Sequence, residues 1–370
     1  MIVGAVTEVK PQENRVGLVP SVAQQLVSSG HTVLVQSGAG LGSSLSDADY
    51  VAAGATIVDG AAEVWEKSDL IVKVKEPVEA EYDYFRPDLI LYTYLHLAPL
   101  PELTAALTEA QVTGIAYETI EAADGSLPLL VPMSEIAGRM SVQVGAHFLE
   151  RANGGRGVLL GGVPGVNPAD VVIVGGGIVG RNAARMAYGL GAHVTILDRN
   201  PRVLQYIDDL FGGRVNTIMS HAGTVAAWSA RADLLIGAVL IPGAAAPHVV
   251  TAEHVTAMKE GAVIVDVSVD QGGCIATTRP TTHGEPIFLV DGVVHYGVTN
   301  MPGAVPRTST FALTNVTAPY LEKLADEGAE AALRSDSLLA AGVNTYKGHI
   351  TCEPVADHQG RPYTALETLL

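Results

Sequence analysis

The chain has 370 residues, of which 48% are apolar and only 16% charged, and its formal net charge is −17. This length predicts two domains, and the acidic balance excludes nucleic acid as a partner because a phosphate backbone would be repelled. The two cysteines, Cys274 and Cys352, are too few for a disulfide framework or a cysteine-rich zinc site. We therefore expect a cytoplasmic protein without a metal, and the low charged fraction favours a large interface between copies.

Short β-branched runs alternate with helical patterns from the start of the chain. We predict strands at 2–6, 31–36, 70–74, 89–94 and 113–117, and helices at 21–29, 47–53, 61–67 and 103–110. Such alternation is typical of βαβ units and a parallel sheet. Apolar residues spaced by four then predict one long amphipathic helix over 132–151, which we take as the connection between two domains.

A second α/β series follows this helix. We predict strands at 171–174, 193–197, 215–219, 234–239, 262–267 and 293–298 and a helix at 309–328. The apolar stretch 234–247 contains prolines and a glycine and falls short of the ~20 residues of a membrane helix, so no membrane span is expected. The fold class is α/β, with two Rossmann-like, doubly wound parallel-sheet domains, joined by the long helix and with the active site in the crevice between them. Residues 1–128, completed by 307–370, would form the substrate domain, and 129–306 the dinucleotide-binding domain.

A glycine turn lies directly after the buried run that ends at Val174. Gly175, Gly177 and Gly180 form a G-x-G-x-x-G pattern followed by a helix, which is the context of a pyrophosphate-binding turn. Asp198 ends the next strand, eighteen residues after Gly180, where a carboxylate binds the adenosine ribose and disfavours a 2′-phosphate. This favours NAD, although the neighbouring Arg199 could accommodate the phosphate of NADP.

Polar residues also follow four strands of the first series. Arg15 could hold a carboxylate with two hydrogen bonds, Lys75 could supply a point charge, and His96 could transfer a proton near neutral pH; Glu118 follows the last of these strands. Each has a structural alternative: a solvated charge for Arg15 and Lys75, a buried core histidine for His96, a structural role for Glu118. Their shared position at strand ends favours function, because those ends meet at one edge of a parallel sheet.

In the second series, Asp270 and Asn300 follow strands in the same way. Asp270 precedes a pair of glycines, so it could act on the substrate or could instead cap a turn. Asn300 is placed to contact the cofactor through its amide.

Several blocks in this order resemble the alanine dehydrogenases, whose family also includes the nucleotide-binding component of proton-translocating transhydrogenases. The resemblance covers essentially the whole chain, and the residues that carry it are Thr7-Glu8, Glu13-Asn14-Arg15-Val16, Val74-Lys75-Glu76-Pro77, Leu95-His96-Leu97-Ala98, Pro132-Met133-Ser134-Glu135, Gly154-Gly155-Arg156-Gly157, Gly162-Val163-Pro164-Gly165-Val166 and Asp270-Gln271-Gly272-Gly273-Cys274. One departure is Val203, where the family often has a lysine.

The resemblance implies roles for individual residues. Arg15 and Lys75 would bind substrate, and His96 and Asp270 would be catalytic. The cofactor would lie along Ser134, Ile178, Val179, Asp198, Ser220, Val239, Leu240, Val267, Asp270, Asn300 and Met301. It also implies a homo-hexamer of two-domain protomers.

The resulting hypothesis is an NAD-dependent oxidation of L-alanine to pyruvate and ammonia, together with the reverse reductive amination. In it, His96 deprotonates the attacking water and Asp270 orients that water or supports the developing charge. Two other functions stay open at this point: a dehydrogenase for another small 2-amino or 2-hydroxy acid, and a non-catalytic nucleotide-binding component that docks on another protein.

Overall fold

The computed structural model describes residues 1–239 and 247–370. The chain divides into two compact units, which we call unit one (Met1–Met133 with Val305–Leu370) and unit two (Ser134–Ala304). Within the described ranges, no helix is long and apolar enough to cross a membrane.

The regular elements alternate along most of the chain. The fifteen strands of the described residues are β1 (Ile2–Ala5), β2 (Thr32–Gln36), β3 (Thr56–Val58), β4 (Leu70–Val72), β5 (Ile90–Thr93), β6 (Thr113–Ala116), β7 (Asp170–Val174), β8 (His193–Asp198), β9 (Asn216–Met219), β10 (Leu234–Gly237), β11 (Val263–Asp266), β12 (Ile287–Val290), β13 (Val293–Tyr296), β14 (Val343–Tyr346) and β15 (His349–Ile350). The thirteen α-helices of the same residues are α1 (Pro20–Ser28), α2 (Asp47–Ala52), α3 (Ala61–Lys67), α4 (Pro101–Glu109), α5 (Val131–Phe148), α6 (Ile178–Gly189), α7 (Pro201–Phe211), α8 (Ala222–Ser229), α9 (Ala252–Thr256), α10 (Pro306–Glu327), α11 (Ala329–Ser335), α12 (Ser337–Ala341) and α13 (Glu353–Gln359). Helix α5 confirms the long helix predicted at 132–151, and it ends three residues earlier.

The sheet of unit one has the strand order β15-β14-β6-β5-β4-β1-β2-β3. Strands β1 to β6 are parallel to one another, whereas β14, which pairs with β6, and β15 add an antiparallel edge. Every residue of β4, β5 and β6 is buried, as expected for parallel strands covered on both faces. The chain reverses its direction of winding between β1 and β4, and the loops after these two strands diverge there.

The sheet of unit two has the order β12-β13-β11-β10-β7-β8-β9. All pairs are parallel except β12–β13, and the winding reverses between β7 and β10. Numbered from β7, its six parallel strands follow the 3-2-1-4-5-6 order of dinucleotide-binding folds. The predicted fold class of two doubly wound, parallel-sheet α/β domains is confirmed.

Four strands were not predicted from the sequence: β3, β12, β14 and β15. Strand β3 has three residues and β15 has two, which is too short for a periodic pattern. Strand β12 lies at a sheet edge, where Leu289 is 65% exposed, so the apolar signal of a buried strand is weak. The β14–β15 hairpin turns at Lys347 and Gly348, both with positive φ, and only its pairing with β6 makes it part of the sheet.

Apolar side chains from strands and helices fill the core of each unit. Trp65, Leu91 and Leu107 are fully buried in unit one, as are Leu235 and Ile264 in unit two. Burial of a leucine or isoleucine side chain contributes about 2 kcal/mol, so these clusters hold the sheets rigid beneath the loops that follow each strand.

Candidate active site

The four polar residues predicted at strand ends of unit one lie in loops at one edge of its sheet. Arg15, Lys75, His96 and Glu118 follow β1, β4, β5 and β6, and these four strands are neighbours. Because parallel strands end at the same edge, the fold brings the loops together although the residues are far apart in sequence.

Arg15 is 3% exposed and is held by Glu13 two residues earlier. Its Nε lies 2.6 Å from Glu13 Oε1, its Nη2 also donates to the Glu13 carboxylate, and its Nη1 donates to the sulfur of Met133 at 3.2 Å. Burial lowers the pKa of Arg15, but the hydrogen bonds and the charge of Glu13, together with the charges of Tyr94 and Glu8, outweigh burial and the net effect raises the pKa. The guanidinium is therefore a permanent charge in a fixed orientation, with a weak sulfur acceptor at one donor.

Lys75 lies in a loop whose backbone is bonded on both sides. Its N–H donates to Glu8 Oε2 at 3.3 Å, the preceding amide of Val74 donates to Glu8 Oε1 at 2.6 Å, and its carbonyl accepts the hydroxyl of Thr93 at 3.1 Å. The side chain is partly exposed. The loop therefore presents the Lys75 ammonium from a backbone that is hydrogen-bonded at both its N–H and its carbonyl.

His96 is an exposed residue with a backbone that favours glycine. Its φ is +48° and its side chain is 43% exposed, so the alternative of a buried core histidine is wrong. Glu118 holds this turn: its Oε1 accepts the His96 N–H at 2.6 Å and the Leu95 N–H at 3.1 Å. The imidazole stacks on Tyr94 with 5.9 Å between ring centroids. Strained backbone of this kind clusters at functional sites, where the surrounding structure must maintain it.

The charges of Lys75 and His96 both act on the carboxylate of Glu76. The carboxylate is buried, which by itself would raise its pKa, but the charge of Lys75, the hydrogen bond from Lys10 and the charge of His96 together lower it. Both predicted side chains therefore act electrostatically on one carboxylate, which supports their proximity within unit one.

The glycine turn of unit two has the geometry of a phosphate-binding turn. Gly175 has φ +105°, and a Cβ at Gly180 would lie 1.9 Å from the carbonyl oxygen of Gly175, so only glycine fits at these two positions. A Cβ at Gly177, by contrast, would meet no described atom within 4 Å. Gly177 immediately precedes α6, so the open space adjoins the amides at a helix N-terminus, and the residues fit a dinucleotide pyrophosphate there.

Asp198 joins the glycine turn to the end of β8. Its Oδ2 accepts the Gly176 N–H at 2.7 Å and its Oδ1 accepts the Asn200 N–H at 2.8 Å. Carboxylate oxygens carry further lone pairs, so a ribose hydroxyl could be bound as well. Val203, the departure noted from the family pattern, packs against the turn: a Cβ at Gly176 would lie 2.7 Å from its Cγ1.

Most of the other residues predicted to contact the cofactor also follow strands of unit two. Ile178 and Val179 begin α6, and Ser220, Val239, Val267, Asn300 and Met301 come directly or a few residues after β9, β10, β11 and β13. Ser134 lies in α5, one turn before Gly138, whose Cβ position is 2.3 Å from the Val179 carbonyl oxygen. Leu240 lies outside the described residues.

Asp270 and Asn300 are brought together although thirty residues separate them. The Asn300 N–H lies 3.4 Å from Asp270 Oδ2, and Asn300 has φ +58°. Asp270 is exposed, in a short 3-10 turn after β11. The carboxylate therefore stands at the same sheet edge as the glycine turn.

Three supporting carboxylates were missed as individual functional residues by the sequence analysis: Glu8, Glu13 and Asp266. Asp266 is fully buried and accepts the N–H groups of Ser268 and Cys274, both at 3.0 Å, in the loop that carries Asp270. Burial raises its pKa to about 6. Asp266 and Glu8 could have been identified from the sequence, since each is an acidic residue at or just after the end of a strand. The described residues contain no group of three or more His, Cys, Asp or Glu side chains arranged for a metal ion.

Family models match both parts of the chain. The model described as Alanine dehydrogenase/PNT, N-terminal domain, matches residues 4–137, and that described as Alanine dehydrogenase/PNT, C-terminal domain, matches residues 141–353. The chain is 54% identical to a protein named alanine dehydrogenase from Methanococcus maripaludis, with all of both chains covered.

Solved structures are similar over nearly the same length. One titled L-alanine dehydrogenase has a TM-score of 0.95 and 54% identity, covering 97% of this chain and 99% of the other. A transhydrogenase from Sinorhizobium meliloti has a TM-score of 0.82 and 27% identity, covering 95% and 99%. The chain therefore belongs to the alanine dehydrogenase/PNT family.

Proposed function

We propose that this protein is an NAD-dependent L-alanine dehydrogenase, which converts L-alanine, water and NAD⁺ to pyruvate, ammonium, NADH and a proton, and catalyses the reverse reductive amination. The observation that carries the proposal is the loop cluster of Arg15, Lys75 and His96 at one sheet edge, in a chain 54% identical to a protein of that name. A docking module without catalysis has no use for these side chains.

Unit two would bind the dinucleotide and unit one the substrate. The open space at Gly177 supports pyrophosphate binding at the start of α6, and the carboxylate of Asp198 supports ribose binding and a preference for NAD over NADP. When bound, NAD supplies the acceptor for the hydride that leaves the substrate Cα. Exposed Arg199 is the feature that would allow some use of NADP.

Arg15 and Lys75 would bind the carboxylate of alanine. The Glu13 carboxylate fixes the plane of the Arg15 guanidinium through Nε and Nη2. Nη1 donates to the sulfur of Met133, a weak acceptor that a substrate carboxylate outcompetes. Two cations on one carboxylate would fix the orientation of the substrate Cα.

His96 would accept a proton from the water that attacks the iminium carbon. Its exposed imidazole and its turn, held by Glu118, suit a residue that must present a nitrogen to a small substrate. Asp270 would orient this water or stabilise the charge that develops in the step. Release of ammonia from the resulting carbinolamine then gives pyruvate.

A rate assay that follows the absorbance of reduced nicotinamide tests the proposal. Purified protein is given NAD with alanine, serine, glycine or lactate in turn, and the assay is repeated with NADP. We expect the highest kcat/KM with NAD and alanine. Faster turnover of another substrate would replace alanine, and no turnover with any of them would favour a non-catalytic nucleotide-binding component.

We also propose a cytoplasmic homo-hexamer that acts on small molecules and binds neither nucleic acid nor membranes. The low charged fraction and exposed apolar side chains such as Leu159, Val163 and Val166 support contacts between copies. Light scattering should give a mass about six times 38.4 kDa.

A further inference from the structure

A buried ionic cluster underlies the Lys75 loop, and the proposed mechanism does not use it. Lys73 is fully buried, with its Nζ 2.7 Å from Glu81 Oε1 and 3.5 Å from Glu8 Oε2. Both carboxylates are buried as well. Ion pairs of this kind are costly to desolvate, and an apolar side chain would fill the space at lower cost, so packing alone does not explain the cluster.

The cluster holds both ends of the segment that carries Lys75. The contact between Lys73 and Glu81 closes residues 73–81 into a loop, and Glu81 Oε2 also accepts the Val78 N–H at 3.0 Å. From the loop after β1, Glu8 binds the consecutive amides of Val74 and Lys75 through its two oxygens. Glu8 therefore holds Lys75 within the loop through the backbone N–H of Lys75.

We propose that Glu8 is a positioning residue for Lys75, and that Lys73 and Glu81 hold Glu8 and the loop in register. This inference rests on the proposed function, in which Lys75 binds the substrate carboxylate. A carboxylate that accepts two adjacent N–H groups fixes the plane of the peptide bond between them. It thereby fixes the direction in which the Lys75 side chain leaves the backbone.

The charge of the cluster suits this role. Burial raises the pKa of Glu8, and the ammonium of Lys73 and the N–H of Val74 oppose that rise. Burial would lower the pKa of Lys73, but the charges and the hydrogen bonds of Glu8 and Glu81 together outweigh burial, so the pKa is raised and Lys73 remains an ammonium. Lys73 is thus a permanent counter-ion that keeps Glu8 directed at the amides of the loop.

Hydrogen–deuterium exchange tests the positioning directly, without any substrate. Glu8→Gln keeps the size of the side chain but turns one oxygen into an N–H₂ group, which cannot accept the Lys75 N–H. We expect the peptide covering residues 73–81 to exchange about tenfold faster, with peptides of unit two unchanged. Glu63→Gln is the matched control, because Glu63 is an exposed carboxylate that pairs with Lys67 at the surface and lies outside residues 73–81; it should leave exchange at wild-type values. Unchanged exchange in Glu8→Gln would overturn the proposal.

Kinetics then test whether Glu8 acts through Lys75. Glu8→Gln should raise the KM for alanine about tenfold or more while the KM for NAD stays unchanged. In a Lys75→Met background, the same substitution should add little to the loss in kcat/KM. Multiplicative losses in the double variant would mean that Glu8 acts independently of Lys75 and would refute the inference. If the wild type does not oxidise alanine, the proposed function fails, yet the exchange experiment still decides the positioning.

A second variant covers the case in which Glu8→Gln does not fold. Glu81→Gln weakens the contact that closes the loop but leaves Glu8 on the amides of Val74 and Lys75. We expect faster exchange mainly at Val78 and a smaller rise in the KM for alanine. An effect confined to global stability, with wild-type exchange in the loop, would contradict the proposal.

Discussion

Gly177 offers a direct test of the dinucleotide site because an added methyl group would disturb binding without disturbing the fold. A Cβ at this position meets no described atom within 4 Å, and the backbone φ of −67° is available to alanine. Replacement of glycine by alanine just before α6 should therefore change the free energy of unfolding by less than about 1 kcal/mol.

The loss in NAD affinity should be much larger than this change in stability. The open space beside Gly177 is where we expect the pyrophosphate to approach the helix amides, and the new methyl group would hold it away. Loss of one hydrogen bond to a charged group costs about 1.5–3 kcal/mol, which corresponds to about a 10- to 150-fold increase in Kd.

Titration calorimetry with NAD on Gly177→Ala and Gly189→Ala measures this difference. Gly189 is the last residue of α6, and a Cβ there also meets no described atom within 4 Å, so the control makes the same chemical change in the same helix. It should bind NAD like the wild type. If Gly177→Ala binds NAD as tightly as Gly189→Ala, the pyrophosphate does not lie against this turn and the reasoning is wrong.

Three further outcomes follow from the site geometry. Gly180→Ala should lower the unfolding midpoint and destabilise the protein by about 3 kcal/mol or more, because its Cβ would lie 1.9 Å from the Gly175 carbonyl oxygen; an unchanged midpoint would refute the close contact. His96→Gln should reduce kcat with alanine by about 100- to 10,000-fold while calorimetry still detects NAD binding, and near wild-type turnover would exclude His96 as the general base. Burial raises the pKa of Asp266 from 3.8 to about 6, so between these pH values the folded state keeps a proton that the unfolded state has lost. The free energy of unfolding should therefore fall as pH rises from about 4 to about 6. This fall amounts to about 3 kcal/mol, and Asp266→Asn should abolish it. Parallel plots of the unfolding midpoint against pH for the two proteins would contradict the raised pKa of Asp266.

The sequence was sufficient for the central parallel strands of both sheets and for the edge at which the polar residues lie. The alternation of β-branched runs and amphipathic helices predicts parallel strands, and this rule alone places Arg15, Lys75 and His96 at one edge. The glycine turn could likewise be predicted from local context, because Gly175 and Gly180 follow a buried strand and open a helix. The strand pattern and the glycine turn each depend on residues close together in the chain.

The supporting contacts depended on tertiary structure. Glu8 lies 66 residues from Val74, whose amide it binds, and Glu118 lies 22 residues from His96. No periodic pattern predicts which carboxylate reaches which amide, because that depends on strand order and on the path of each loop. The positive φ of His96 has the same origin, since the strained turn is maintained by hydrogen bonds from a different strand end.

Local sequence thus determined which residue types stand after each strand, since periodicity and turn chemistry act over a few positions. Tertiary structure decided how those residues are oriented: Arg15 by Glu13 and Met133, Lys75 by Glu8, and the Asp270 loop by Asp266. Folding brings Glu8 and Met133, from other elements, within hydrogen-bonding distance of Lys75 and Arg15. It also sets the loop paths along which Glu13 and Asp266 reach groups only a few residues away.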